Sequence, residues 1–218
     1  MFFRILFILF LFSSTLFAQG VRETGKIRSF RSLGKYQKRW VLFHPFIAKK
    51  AYRVTQTVLA ETAEIKKDTA LDKDDNGGQV DAFRHAYWMA LLGQKIKYRK
   101  AYKLGLAHEK DNKRDFEKGK PEENALPDSL SSVMDIENNA AGIKLGKANR
   151  KLNKDELKAL VVREIKAGRM KVLMKDRAGN YLSCDGKIID MNLWNGKWGI
   201  PKCLVNSDYL ILTEVKKK

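Results

Sequence analysis

The chain has 218 residues, with 43 Lys and Arg against 25 Asp and Glu, and a formal charge of +18 at pH 7. Hydrophobic residues make up 44% of it, enough for one medium-sized core, which excludes wholesale disorder. With 15 Gly, 4 Pro, 2 Cys and no short repeat, it is neither collagen, nor a coiled coil, nor a disulfide scaffold.

In chain order, Arg4 precedes an unbroken apolar run from Ile5 to Phe12, followed by Ser13, Ser14 and the small Ala18. This pattern predicts a secretory signal peptide over residues 1–18, a mature chain starting near Gln19, and export to the periplasm or the exterior. The run is short for a bilayer span and no Cys follows it for lipid attachment, so no transmembrane segment is expected in the mature chain. Residues 19–44 form a basic segment without a clean period. Pro45 to Lys67 carries Ile47, Ala51, Val54, Val58 and Ala63 at helical spacing, and the acidic, Gly-rich stretch from Lys67 to Gly78 reads as a loop. Helices are then expected over Gln79–Lys97 and from about Arg99 to Lys110. Residues 111–128, with Pro121 and Pro127, read as an exposed connector. Asp128 or Ser129 can cap a fourth helix running to about Asn149, and Lys154–Ala167 presents Leu157, Leu160, Val161 and Ile165 on one face.

Beyond Gly168 the pattern changes to short apolar runs separated by turn residues, which suggests hairpins. The expected fold class is therefore mainly α: a buried helical core over 45–168 with a small C-terminal β-rich hairpin extension over 169–218. Cys184 and Cys203 lie close together in that tail, and oxidising conditions outside the cytoplasm make a disulfide the expected state. Closing such a loop contributes about 3 kcal/mol in the chain-entropy description. The excess positive charge is spread along the chain. Dispersed in this way, it reads first as a solvated basic surface, and it also fits an anionic substrate or surface such as phospholipid headgroups, lipopolysaccharide, cell-wall polymer or nucleic acid.

The helix from Gln79 is apolar nearly all round, which marks it as buried. Asp81 and His85 are four apart and share a face, with Arg84 beside them, and an uncompensated buried charge costs several kcal/mol. Partners are offered by the fourth helix, where Asp135, Asn139, Gly142 and Gly146 line one stripe flanked by Asn138; the glycines permit close helix approach. The third helix adds His108 and Glu109. The candidate catalytic cluster is thus Asp81, Arg84, His85, His108, Glu109, Asp135, Asn138 and Asn139.

The run Asn-Gly-Gly-Gln-Val-Asp-Ala-Phe-Arg-His-Ala-Tyr-Trp at 76–88, the Ala-His-Glu at 107–109 and the Met-Asp-x-x-Asn-Asn-x-x-Gly at 134–142 resemble an uncharacterised bacterial domain of unknown function found in exported and toxin-like polypeptides. The resemblance spans roughly residues 45–150 and implies no particular activity.

Several chemistries fit these residues. Asp81 can orient His85 as a general base, with Arg84 or Asn139 stabilising an oxyanion. Alternatively, Asp81, His85, His108, Glu109 and Asp135 offer an N/O ligand set for zinc or another divalent metal, although no HExxH spacing is present. The loop Asp72, Asp74, Asn76, Gly77 resembles the opening of a calcium loop, but Phe83 stands where the closing Glu belongs. A secreted phospholipase dyad would need Asp after His85, where Ala86 stands. The expected function is a hydrolase-like enzyme acting on an anionic envelope or competitor-derived substrate, with His108 and Glu109 bordering its cavity. The alternative is a non-enzymatic anion-binding module whose polar cluster only fixes helix register.

Overall fold

The structure is a computed structural model and describes residues 30–119 and 127–209. The predicted signal peptide, Pro121 and the terminal lysines lie outside the described residues. Among the described residues the main helices follow one another in the order α1 Lys35–Phe43, α2 Pro45–Lys67, α3 Gln79–Lys95, α4 Tyr98–Glu117, α5 Ser129–Ala148 and α6 Lys154–Lys166. The tail holds β1 Lys171–Leu173, a 3-10 turn Met191–Trp194 and β2 Leu204–Asn206. The protein is mainly helical with a small antiparallel strand pair near its C-terminus, as the periodicity predicts.

α3 is the hub. Of its residues Val80, Ala82, Phe83, Ala86, Tyr87, Met89, Ala90 and Leu92 are all fully buried, and α2, α4, α5 and α6 each pack against it. The stripe of small residues on α5 makes the closest of these approaches. A Cβ at Gly142 would lie 2.1 Å from the Ala86 carbonyl oxygen, and one at Gly146 would lie 1.9 Å from that of Ala90. Only glycine allows the two backbones to meet at this separation. On the far side, Val54 and Val58 of α2 and Leu157, Val161 and Ile165 of α6 close the core.

Local sequence explains most element ends. Pro45 opens α2, where its missing N–H costs nothing. Asp128 caps α5, its carboxylate accepting from the Leu130 and Ser131 N–H groups. Asn153 and Glu156 form a capping box at the start of α6.

Two expectations need correction. Residues 111–117 are not an exposed connector: α4 continues through them to Glu117, and Asp111 and Asn112 are buried. The reason is a tertiary contact. The Asp111 carboxylate accepts from the N–H groups of Tyr36 (3.0 Å) and Gln37 (2.9 Å), so it caps α1 across a 75-residue separation. The same contact explains why the basic segment contains a helix despite its weak periodicity; Trp40 anchors it, donating to the Lys100 carbonyl at 3.1 Å. α4 ends at Glu117, with Lys118 as its C-cap and Gly119 just beyond at φ 64°.

In the tail, β1 pairs with β2 in the register Lys171↔Asn206, Val172↔Val205, Leu173↔Leu204. The local hairpins expected there are reduced to single bridges, Lys175↔Tyr181 and Leu182↔Ile188. Cys184 and Cys203 form the expected disulfide. Among the described residues, no helix is long and apolar enough to cross a membrane.

Candidate functional site

The loop before α3 sets the first residue of the site. Asp72 reaches forward to accept from the Gln79 N–H at 2.8 Å, capping α3 from outside, and burial raises its pKa. Lys175 of the tail places its ammonium 2.5 Å from Asp74 and 2.7 Å from the Asn76 carbonyl oxygen. The oxygens that resemble a calcium loop are therefore taken up by a helix cap and a lysine. The chain then turns so that the Gly77 N–H donates to Asp81 Oδ2 at 2.7 Å. Arg84, one turn along, donates to Asp81 Oδ1 at 2.6 Å.

His85 lies on the same face and is 2% exposed. Its Nε2 stands 3.5 Å from Asp81 Oδ1 and 3.3 Å from Asp135 Oδ1 of α5, so the ring faces two carboxylates from two helices. One donor atom from each of Asp81, His85 and Asp135 can be chosen so that all lie within 4.8 Å of one another. Burial holds the His85 pKa well below its ordinary value, helped by the positive charge of Arg84, while the Asn139 amide acts in the opposite sense. Asn139 is 2% exposed and is brought into the cluster by the glycine-mediated approach of α5 to α3.

The other sequence-predicted residues fall further out. The His108 ring centre is 6.1 Å from that of His85 and 6.0 Å from that of Trp88. Its Nδ1 faces Gln37 Nε2 at 3.5 Å, and burial, followed by Arg84, pushes its pKa down to about 4. Glu109 is buried and accepts from Asn112 Nδ2 at 3.2 Å. Asn138 belongs elsewhere: its amide donates to the Lys171 carbonyl at 2.9 Å and accepts from the Lys171 N–H at 2.8 Å, tying α5 to β1.

Above the cluster lies a cavity of about 360 Å³, whose lining includes Asp81, Arg84 and Asp135. The expectation that His108 and Glu109 border it is not met; Asn112, one turn beyond His108, reaches it instead. The opposite wall comes from the tail, with Tyr181, Trp194, Lys197 and Lys202. Lys202 is buried, pairs with Asp128 at 2.6 Å and lies 3.8 Å from the centre of the Tyr181 ring. Burial lowers the Lys202 pKa against the pull of Asp128, and burial raises that of Tyr181. Sequence reasoning missed these wall residues, because they occupy an irregular segment where no periodicity marks which side chains turn inward.

The fold and site together define a helical domain that holds a buried histidine–carboxylate cluster beneath a cavity. Residues 38–169 match the family described as a domain of unknown function, DUF6973, and the chain belongs to that family. No curated protein and no solved structure matches it. The matched stretch contains the whole cluster and ends before β1, so the tail wall of the cavity lies beyond it.

Proposed function

We propose that the chain is an exported hydrolase that cleaves an anionic envelope or competitor-derived substrate at the floor of this cavity. The observation that carries the reading is the buried His85 ring, whose Nε2 faces Asp81 and Asp135 directly beneath a cavity large enough for a substrate headgroup. The leader-like run at residues 1–18 and the Cys184–Cys203 disulfide support export. In the proposed step the cluster takes a proton from water, and the water oxygen adds to an ester carbon or phosphorus. The leaving oxygen then receives the proton. Arg84, held on Asp81 and lining the cavity, faces the negative charge that develops.

Turnover of bis(p-nitrophenyl) phosphate, p-nitrophenyl butyrate and anionic phospholipid vesicles tests this. Wild-type protein should hydrolyse one class, and Asp135→Asn should lower kcat/KM by on the order of 100-fold while retaining the fold. Equal rates for the two proteins would overturn the assignment.

A second reading, a non-enzymatic anion-binding module, draws support from the basic side chains Lys97, Arg99, Lys100 and Lys103, which with His44 and Tyr98 border a depression of about 390 Å³. That reading predicts salt-sensitive vesicle binding that survives Asp135→Asn.

A further inference from the structure

We propose that Asp81, His85 and Asp135 form a site for one divalent transition-metal ion of the zinc type, with its open coordination positions facing the cavity. The inference deepens the hydrolytic reading and rests on it for the role of the ion.

Four observations lead there. The first is spacing. A tetrahedral ion bonded at about 2.1 Å to nitrogen and oxygen separates its ligands by about 3.4 Å. His85 Nε2 lies 3.5 Å from Asp81 Oδ1 and 3.3 Å from Asp135 Oδ1, so two of the three donor-to-donor edges already match such a polyhedron, and all three donors lie within 4.8 Å of one another. The second is an unmet requirement. His85 is 2% exposed, yet among the described residues neither ring nitrogen makes a well-aligned hydrogen bond, and the ring is aimed at the carboxylates. A neutral imidazole has one N–H and one lone pair. If the lone pair is on Nε2 it confronts two carboxylate oxygens, an arrangement that a cation between them makes favourable.

The third observation is charge. The cavity lining carries four carboxylates, Asp75, Asp81, Asp128 and Asp135, against three cations, Arg84, Lys197 and Lys202. An anionic substrate would enter a lining of formal charge −1, whereas a bound divalent ion turns that charge to +1. The fourth is outer support. Asp81 is held on Oδ2 by the Gly77 N–H and on Oδ1 by Arg84. Groups of this kind fix ligand orientation around a metal. The imidazole selects a transition ion over magnesium or calcium. Three protein ligands beside an accessible cavity make an open site in which an ion can activate water. His108 is not in the set, because its ring is turned to Gln37 and Trp88.

The mature chain, stripped with EDTA and exchanged into metal-free buffer, should be titrated with ZnCl₂ by calorimetry and melted with and without zinc. One zinc per chain is expected, with Tm rising by about 5–10 °C at a hundredfold excess over Kd. Asp135→Asn and His85→Gln should each weaken zinc binding by on the order of 100-fold, while His108→Gln retains it. Magnesium and calcium should leave Tm unchanged. No zinc uptake by the stripped wild type, or uptake by Asp135→Asn equal to wild type, overturns the site. If either variant fails to fold, X-ray absorption of the zinc-loaded wild type decides instead: one imidazole with oxygen donors supports the set, and two imidazoles contradict it. Turnover separates this inference from the hydrolytic reading. Hydrolysis by the stripped, zinc-free chain would remove the metal and leave the hydrolase, whereas stoichiometric zinc without turnover of any substrate above would do the reverse.

Discussion

The floor and the wall of the cavity are built by different means. The floor, where Asp81 and Asp135 line the cavity above the buried His85, stands on two long helices in backbone contact, and its side chains are placed by helical periodicity. The wall, Tyr181 to Lys202, has almost no regular structure and is held by point attachments: a disulfide, the Lys202–Asp128 pair, and the Ser129 N–H donating to the Trp198 carbonyl at 2.9 Å. The family match covers the floor and stops before the wall. A rigid constellation with a separately attached wall is an arrangement in which chemistry and substrate choice can vary independently.

The largest effect should come from breaking the wall's buried ion pair. Lys202→Met leaves the Asp128 carboxylate, 1% exposed, without its cation, and should cost about 3–5 kcal/mol in urea unfolding. Adding Asp128→Asn should recover much of that loss. Gly146→Ala attacks the floor instead. Its methyl group would meet the Ala90 carbonyl, so α3 and α5 must separate, at about 3 kcal/mol, and zinc affinity should fall with stability.

Reducing Cys184–Cys203, or replacing both by Ser, should cost about 2–3 kcal/mol. Amide exchange should accelerate across 176–203 while α3 and α5 keep their protection, which is the sharpest test that the two regions are independent. Asn138→Ala cuts the joint between them by removing two hydrogen bonds to Lys171, and should cost about 1–3 kcal/mol.

The smallest effect belongs to a site in neither region. Lys154 and Lys158 hold the Glu61 carboxyl below its ordinary pKa, with the hydrogen bond from Lys154 the larger cause. Its folded pKa lies below the unfolded value of 4.5, so its contribution is present above that pH and is lost as pH falls through the folded value. Glu61→Gln should cost about 0.5–1 kcal/mol at pH 7 and nothing once the wild-type carboxyl is protonated.

The same division governs how much was legible in the sequence. α3 and α5 are legible, because Asp81 and His85, and Asp135 and Asn139, are each spaced by four beside a glycine stripe, and the helical period places them on facing surfaces. Asn138 shared the chemistry of its neighbour but not its direction, and its partner, Lys171, lies 33 residues further on. α1 and the end of α4 were hidden for the same kind of reason: each depends on Asp111 capping a helix that is distant in sequence. Lys202 and Tyr181 were hidden because a disulfide-tied loop has no period from which an inward face can be read.

The central claim is that Asp81, His85 and Asp135 act as one site, and anomalous diffraction from crystals of the zinc-soaked protein tests it most directly. The account predicts a single strong peak in the floor of the cavity, about 2.0–2.2 Å from His85 Nε2 and from one oxygen of each aspartate. A floor without a peak, with His85 Nε2 hydrogen-bonded to a carboxylate instead, would contradict it.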